Sequence, residues 1–333
     1  MWWLAVAYPV TLVAIWLALR FVGEAWWPTT AALYLPMVGF GLPLPVLVLA
    51  ILWSGRLRLL WTQVVALAVL LVPLMGLRLP LGGPSGAAAG EPAVRVLTHN
   101  VFFGRVNAAE LRAEILDARP DIVVMQAIGH ETRATVEAIL PGFQIHESTQ
   151  FLLATRFPIR DVFLPAKVQQ DVERSARFIA YTLETPLGLI EFFNVHPITP
   201  RDGLESLRYD DWDDDRLGMP STKTIDTLRR NTSLRTLQVE AIAERAGRAI
   251  HPVVIAGDTN LPGLSALFGR AFGKYHDGFA ERGSGFGYTF PTSHPWMRID
   301  RILCGPELRF TRFEVGPASR SDHHSVWGEM TRR

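Results

Sequence analysis

A single cysteine, Cys304, stands in 333 residues. That scarcity excludes an internal disulfide framework and a multi-cysteine zinc site. Charge is missing from the front of the chain, where residues 1–90 hold only Arg20, Glu24, Arg56, Arg58 and Arg78. Lysine, aspartate and histidine do not occur there at all. Ninety residues with five charges cannot keep the outer face of a soluble helical hairpin wet. A positive region before the first apolar stretch is also lacking, which argues against a cleavable signal peptide. An excess of positive charge is lacking as well. The chain has 33 Lys+Arg and 32 Asp+Glu, and four arginines and one glutamate precede residue 91, so the remainder is net −2. A dedicated duplex-DNA binder would need a basic face.

Long apolar runs are present instead. Three stretches, about residues 2–19, 30–53 and 59–77, each approach the ~20 residues needed to cross a bilayer as a helix. Trp2, Trp3, Trp26, Trp27, Trp53 and Trp61 flank them, as interfacial rings do. The sequence therefore predicts three transmembrane helices over 1–79, a flexible linker over 80–92 and a catalytic domain over 93–333. Arg56 and Arg58 place the second loop in the cytoplasm by the positive-inside rule. The part after the linker then lies outside the cytoplasm.

In the soluble part, 94–101 alternates as a strand and 108–118 has helical spacing. Short buried strands are expected at 122–126, 151–155, 177–183, 189–195, 252–256 and 299–303, with a helix near 232–248. The class is α/β, with strands interspersed among helices.

Polar residues end several of these strands: Asn100, His196, Asp258 with Asn260, and the Asp322-His323 pair before a last apolar run. Ligand sites gather where strand ends and loops converge. Oxygen donors hold hard divalent cations, Arg and His neutralise phosphate oxygens, and Asp and His deprotonate water. Singly, each residue also fits a turn, a cap or a satisfied loop histidine.

The ordered set THN, MQ, NVHP, GDTN, RIDRIL and SDHH, from about residue 94 to 330, resembles the endonuclease/exonuclease/phosphatase superfamily. The resemblance implies a four-layered sandwich, two packed mixed β-sheets flanked by helices. The Thr289–Asp300 arrangement and the anchor are similar to the membrane-attached bacterial branch of the VanJ teicoplanin-resistance type. The resemblance implies Asn100 and Asp322 at the metal, Asp258 on the nucleophilic water and Asn260 on phosphate and water. It also implies His196 on a phosphate oxygen, His323 paired with Asp300 at the reacting centre, and Arg177 as a phosphate cation. Phosphate binding thus falls to Asn100, Arg177, His196 and Asn260.

One departure stands out. The family's second motif ends in Gln-Glu, and that Glu ligates the metal; here Met125-Gln126 is followed by Ala127. The next carboxylate, Glu131, is expected in the following helix. Affinity for a hard cation should fall, and turnover with it. With the other motif residues intact, an engineered inactive form is favoured over a natural non-catalyst.

The remaining expectations are these. The polar stretch 201–231, with Asp210 to Asp215 around Trp212, reads as a solvated loop, a lid using Tyr209 and Trp212, or a second cation site. Cys304, His99, His251, His276 and His294 read as structural or surface residues, and His324 fits either role. The cofactor implied is a divalent cation, Mg²⁺ foremost with Mn²⁺ or Ca²⁺ as substitutes, and no organic cofactor. The partners implied are a lipid bilayer and an amphiphilic phosphate substrate, undecaprenyl pyrophosphate being the specific candidate; nucleic acid is disfavoured. The alternatives are a membrane-attached nuclease and a catalytically silent lipid-binding or scaffold member.

Overall fold

The structure, a computed structural model, describes residues 2–79, 86–165, 177–209, 212–213 and 219–333. Helix α1 (Trp2–Leu17) runs on through a π-helical and a 3₁₀ turn, so that Trp2–Ala25 is one apolar helix of 24 residues. Two short helices follow, α2 (Trp27–Ala32) and α3 (Pro43–Trp53). Helix α4 (Leu60–Val69) forms the middle of a second long apolar helix, Leu57–Leu74, of 18 residues.

Among the described residues, two helices are therefore long and apolar enough to cross a membrane, rather than the three expected. The second expected span divides because prolines interrupt it. Helix α2 begins with Pro28 and ends at Ala32, the chain bends at Pro36, and a 3₁₀ turn over Met37–Gly41 leads into α3. A helix over Met37–Trp53 rises about 25 Å, short of the ~30 Å hydrocarbon core. The helices turn large apolar side chains such as Trp3, Phe21, Val46 and Trp53 outward.

The soluble part runs β1 (Ala93–Asn100), α5 (Ala108–Ala118), β2 (Ile122–Gln126), α6 (Thr132–Ile139), β3 (Gln144–Ser148), β4 (Phe151–Thr155) and β5 (Ile159–Phe163). It continues with β6 (Phe178–Thr185), β7 (Gly188–Val195), α7 (Arg201–Tyr209), β8 (Trp212–Asp213), β9 (Met219–Pro220) and α8 (Thr222–Gly247). The last elements are β10 (Val253–Asp258), α9 (Ala266–Phe272), β11 (His276–Asp277), α10 (Gly278–Arg282), β12 (Asp300–Cys304), β13 (Leu308–Val315) and β14 (Val326–Arg332).

Two six-stranded sheets form, ordered β13-β14-β1-β2-β4-β3 and β11-β12-β10-β7-β6-β5. Both are mixed: β1–β2 and β7–β10 are parallel, the other pairs antiparallel. Their inner faces share one core that includes Val96, Val124, Phe192, Val254 and Phe310. Alternation places Leu97, Val123 and Met125 on the opposite face of the first sheet, under α5 and α6. Phe193, Val253 and Ile255 likewise meet Val239 and Ile242 of α8. The α/β fold with two mixed sheets flanked by helices follows from these period-2 faces. Cys304 is fully buried in the inter-sheet core.

The stretch 201–231 is not structureless. Ser221 caps α8, its Oγ accepting from the Thr224 amide at 3.2 Å, and α8 starts ten residues before the expected 232. Asp210, Asp211, Asp214 and Asp215, and the side chains of Tyr209 and Trp212, lie outside the described residues, as do the lid and second-cation expectations that rest on them. Of the expected linker, residues 80–85 also lie outside them. Gly86 and Ala87 are bonded to the soluble part, to the Thr311 carbonyl at 3.0 Å and to Glu329 at 2.9 Å.

The helices pack directly against the soluble part. One apolar cluster joins Leu19, Leu33, Tyr34, Met37 and Leu70 to Leu264, Met297 and Ile299. Polar contacts pin the same junction. Glu24 accepts from the Ser265 hydroxyl and, at 3.1 Å, from the Leu267 amide. The Tyr288 hydroxyl donates to the Met75 carbonyl at 2.9 Å.

Candidate active site

The site assembles where β1, β7 and β10 end and β12 begins. Gly257 in β10 has φ +143°, and a Cβ there would stand 2.1 Å from the Val195 carbonyl oxygen. Only glycine lets β10 close on β7 at this point, and that closure sets Asp258 at the strand end. Asp258 Oδ1 then accepts the Asn260 amide at 2.8 Å, an Asx-turn that carries Asn260 into positive φ. The turn reading of this motif and its functional reading are thus compatible. The Asn260 side-chain amide donates to the Pro197 carbonyl at 2.9 Å, which ties the turn to the end of β7.

Asp258 is the centre. Its Oδ2 lies 3.0 Å from Asn100 Nδ2, 3.6 Å from His196 Nε2 and 3.7 Å from His323 Nε2. Asp300, opposite Asp258 in the β10–β12 pairing, places Oδ2 2.9 Å from His323 Nδ1. The loop bearing His323 is fastened by Ser321, whose hydroxyl donates to the Asn100 carbonyl at 2.6 Å and accepts the His323 amide at 3.0 Å.

The charges follow from this packing. Burial pushes Asp258 up to about 6; the nearby His323 opposes that shift and Asp300 adds to it. Burial works against a charged His323, but Asp300 and Asp258 outweigh it and raise the imidazole to about 9. Burial, His323 and Arg177 together hold His196 down to about 3. A neutral His196 donates from Nδ1 to Gln150 Oε1, 2.6 Å away, and so turns the lone pair of Nε2 toward Asp258. Near pH 7 the site therefore combines a weakly basic carboxylate, an imidazolium and a neutral imidazole.

Metal-capable groups converge here. Among the described residues, Asp258, Asp300 and His323 offer ligand atoms within 4.8 Å of one another, all buried. Asp300 Oδ1 and Asp322 Oδ1 are buried oxygens with no hydrogen-bond partner, the chemistry of a group suited to a hard cation. Asp322 Oδ1 stands 3.9 Å from His323 Nε2. The donor set fits a divalent cation with one carboxylate fewer than the resemblance implies.

The structure brings Asn100, Ala127, His196, Asp258, Asn260, Asp322 and His323 onto one cavity of about 470 Å³, with Asp300 directly behind His323. Ala127 contributes a methyl from a backbone at φ +48°. Glu131 cannot replace it: this exposed residue precedes α6 and lines a separate cleft beside α5. Arg177 is buried beside His196, whose amide donates to its carbonyl at 2.9 Å, and it is not on the cavity wall. His324 faces away, Nδ1 2.9 Å from the Gly316 carbonyl.

Sequence reasoning missed several contributors. Tyr34, from an expected span, lines the cavity and donates its hydroxyl to the Asn260 carbonyl at 3.1 Å. Phe102 and Phe103, both at positive φ, together with Phe290 and Trp296, make the other apolar walls. Arg201 at the start of α7 reaches Asp322 at 3.5 Å. His99, expected as a structural or surface residue, is structural and buried behind the site. Its Nδ1 meets the buried Glu114 at 3.1 Å, and Nε2 lies 3.2 Å from the His323 carbonyl. A usable signal existed for Tyr34 alone: polar Thr29 and Thr30 and the interrupting Pro36 mark the head of that apolar run as something other than lipid-facing helix.

The sequence model of the endonuclease/exonuclease/phosphatase family matches residues 97–323. No curated protein matches the chain. Among solved structures, the endonuclease/exonuclease/phosphatase from Bacteroides vulgatus is similar at 15% identity and TM-score 0.52, over 72% of this chain and 99% of that one. That from Beutenbergia cavernae is similar at 17% identity and TM-score 0.51, over 72% of each chain. D. rerio TDP2, complexed with single strand DNA product, is similar at 13% identity and TM-score 0.50, over 72% of this chain and 99% of that one. At these identities the likeness shows the shared fold.

Proposed function

The chain belongs to the endonuclease/exonuclease/phosphatase family, and on that premise we propose that it is a membrane-anchored, cation-assisted hydrolase of a lipid-linked phosphate or pyrophosphate. One observation carries the lipid part of this reading: Tyr34, from the apolar N-terminal part, stands on the same cavity wall as Asp258 and His323. A phosphate ester diffusing in water needs no wall supplied by the segment that links two bilayer-length helices. The outward apolar side chains on those helices call for a lipid cover. Trp53, Arg56, Arg58 and Trp61 lie at and beside the turn between α3 and α4, the loop the positive-inside rule assigns to the cytoplasm.

The chemistry is in-line attack of water on phosphorus. Asp258, poised near 6, aligns the water and takes its proton. The His323 imidazolium, held by Asp300, faces the non-bridging oxygens and offsets their charge in a buried setting. His196, Asn100 and Asn260 complete the cradle. A divalent cation held by Asn100 and Asp322 would supply further neutralisation of a phosphate oxygen. No covalent enzyme intermediate is required. Undecaprenyl pyrophosphate is the specific substrate this reading favours, in line with the outward-facing VanJ-type branch. Sphingomyelin-like or glycerophospholipid headgroups suit the same chemistry.

Ala127 favours a second reading, a silent lipid-binding member, because the methyl removes a ligand and its charge. A nuclease is the third: D. rerio TDP2 is complexed with single strand DNA product, but the net −2 of residues 91–333 here works against nucleic-acid affinity. Phosphate release from undecaprenyl pyrophosphate, set against plasmid nicking, by the Ala127→Glu chain with Mg²⁺ in nanodiscs separates the three. Release without nicking is expected. Nicking alone, or neither, would overturn the assignment.

A further inference from the structure

A second cavity, of about 360 Å³, lies between the N-terminal helices and the soluble part. Trp296 and Met297 line both it and the catalytic cavity, so one indole ring and one thioether form the partition. Its other walls include Leu33, Leu35 and Met37 from the α2–α3 connection, Val72 from the second long helix, and Leu264 from the soluble part. Among the described residues, no carboxylate lines it. Of its two arginines, Arg298 is paired with Asp277 at 2.7 Å and Arg78 is exposed.

Resting on the lipid-phosphate reading above, we propose that this cleft binds the first units of the substrate's single apolar chain while the phosphate occupies the catalytic cavity. The two volumes adjoin, so a chain leaving the phosphate passes the Trp296 ring and meets apolar walls. The ring is held across the gap by one long hydrogen bond, from Nε1 to the Tyr34 carbonyl at 3.3 Å. Leu35 and Val72 are both exposed, and they open the far end of the cleft onto the outward apolar surface of the helices. A substrate with no chain would leave these walls against water, where apolar surface is unfavourable. Specificity for an amphiphile is then built into the junction between the two parts of the molecule. Trp296 and Tyr34 are its positioning residues.

Gly263 lines the cleft, and a Cβ added there meets nothing within 4 Å. Cys304 is fully buried, so in the Gly263→Cys chain a maleimide reaches only the new thiol. The test is the affinity of butyl phosphate and of dodecyl phosphate for this full chain in phosphatidylcholine nanodiscs, before and after labelling with a bulky maleimide. Before labelling, dodecyl phosphate binds tighter by roughly fourfold for each methylene that reaches the cleft. After labelling, its affinity falls to that of butyl phosphate, which is unchanged. A dodecyl advantage that survives the label overturns the proposal. If butyl phosphate never binds while dodecyl phosphate binds and is blocked by the label, the cleft stands and the phosphate-site reading fails. Independently, dodecyl phosphate with a terminal diazirine labels Leu33, Val72 or Leu264; labelling confined to the outward Val46 and Leu49 also overturns it.

Discussion

The Tyr34 hydroxyl donates to the backbone carbonyl of Asn260 at 3.1 Å, across 226 positions of sequence. This bond joins the apolar N-terminal part to the turn that presents Asp258. Tyr34→Phe removes one buried hydrogen bond and leaves a carbonyl unpaired, at a cost of about 1–3 kcal/mol. The expected outcome is a lower thermal midpoint in detergent and weaker dodecyl phosphate binding. An unchanged midpoint would mean that the junction contributes nothing to the turn.

Ala127→Glu is expected to create cation binding. The backbone at 127 already sits at φ +48°, so the replacement adds little strain beyond what alanine bears. The new carboxylate enters a cavity lined by Asp322, whose Oδ1 is buried without a hydrogen-bond partner. Mg²⁺ affinity measured by calorimetry should rise at least tenfold over the parent chain, in the way ligand charge tunes hard-cation sites. Equal affinities would show that position 127 is not at a cation site.

Phosphate binding without added metal should weaken in two steps as pH rises. Asp258 is raised to about 6, so its anion, which aligns water but repels a phosphate, forms above that pH. His323 is raised to about 9, so its cation is lost as pH climbs past that value. For stability the signs are these. His323 contributes stabilisation that is complete below its ordinary 6.5 and lost through 9, whereas Asp258 becomes a cost as it ionises through 6. His323→Asn should abolish the fall of butyl phosphate binding near pH 9 and leave the one near 6. Persistence of the fall near 9 would assign it to another group.

Beneath the site, Asp277 bridges two arginines, Arg298 at 2.7 Å and the fully buried Arg301 at 2.8 Å. Burial alone would raise its carboxyl, but the two guanidiniums hold it below the usual range. Asp277→Ala leaves an uncompensated buried cation next to Asp300 and should cost about 3–5 kcal/mol. Thermal unfolding in detergent measures this, and a loss below 1 kcal/mol would contradict it.

The strand ends were legible because each joins an apolar run, which must be buried, to a polar residue that sheet pairing does not require. Asn100, His196 and Asp258 follow that pattern, and the fold brings them together; Asp300, inside an expected strand, was marked only by the family resemblance. Helix α7 and the start of α8 were not legible, since their polar, charged composition reads like a loop until Ser221 is seen capping the helix. The division at Pro36 was hidden for another reason. Hydropathy averaged over 30–53 records apolar content, and it is blind to a chain that doubles back onto a protein surface. Gln150 and Glu114 act through histidines far along the chain, so no local pattern could have marked them.

If the N-terminal helices wall a phosphohydrolase site for a lipid-borne phosphate, substrate chain length must set its rate. The most direct measurement compares kcat/KM of the Ala127→Glu chain in nanodiscs for a long-chain prenyl pyrophosphate and for a water-soluble short-chain pyrophosphate with the same leaving group. At least a hundredfold preference for the long chain is expected, lost in Trp296→Ala. Equal values for the two substrates in the chain that keeps Trp296, or a preference that survives Trp296→Ala, would contradict it.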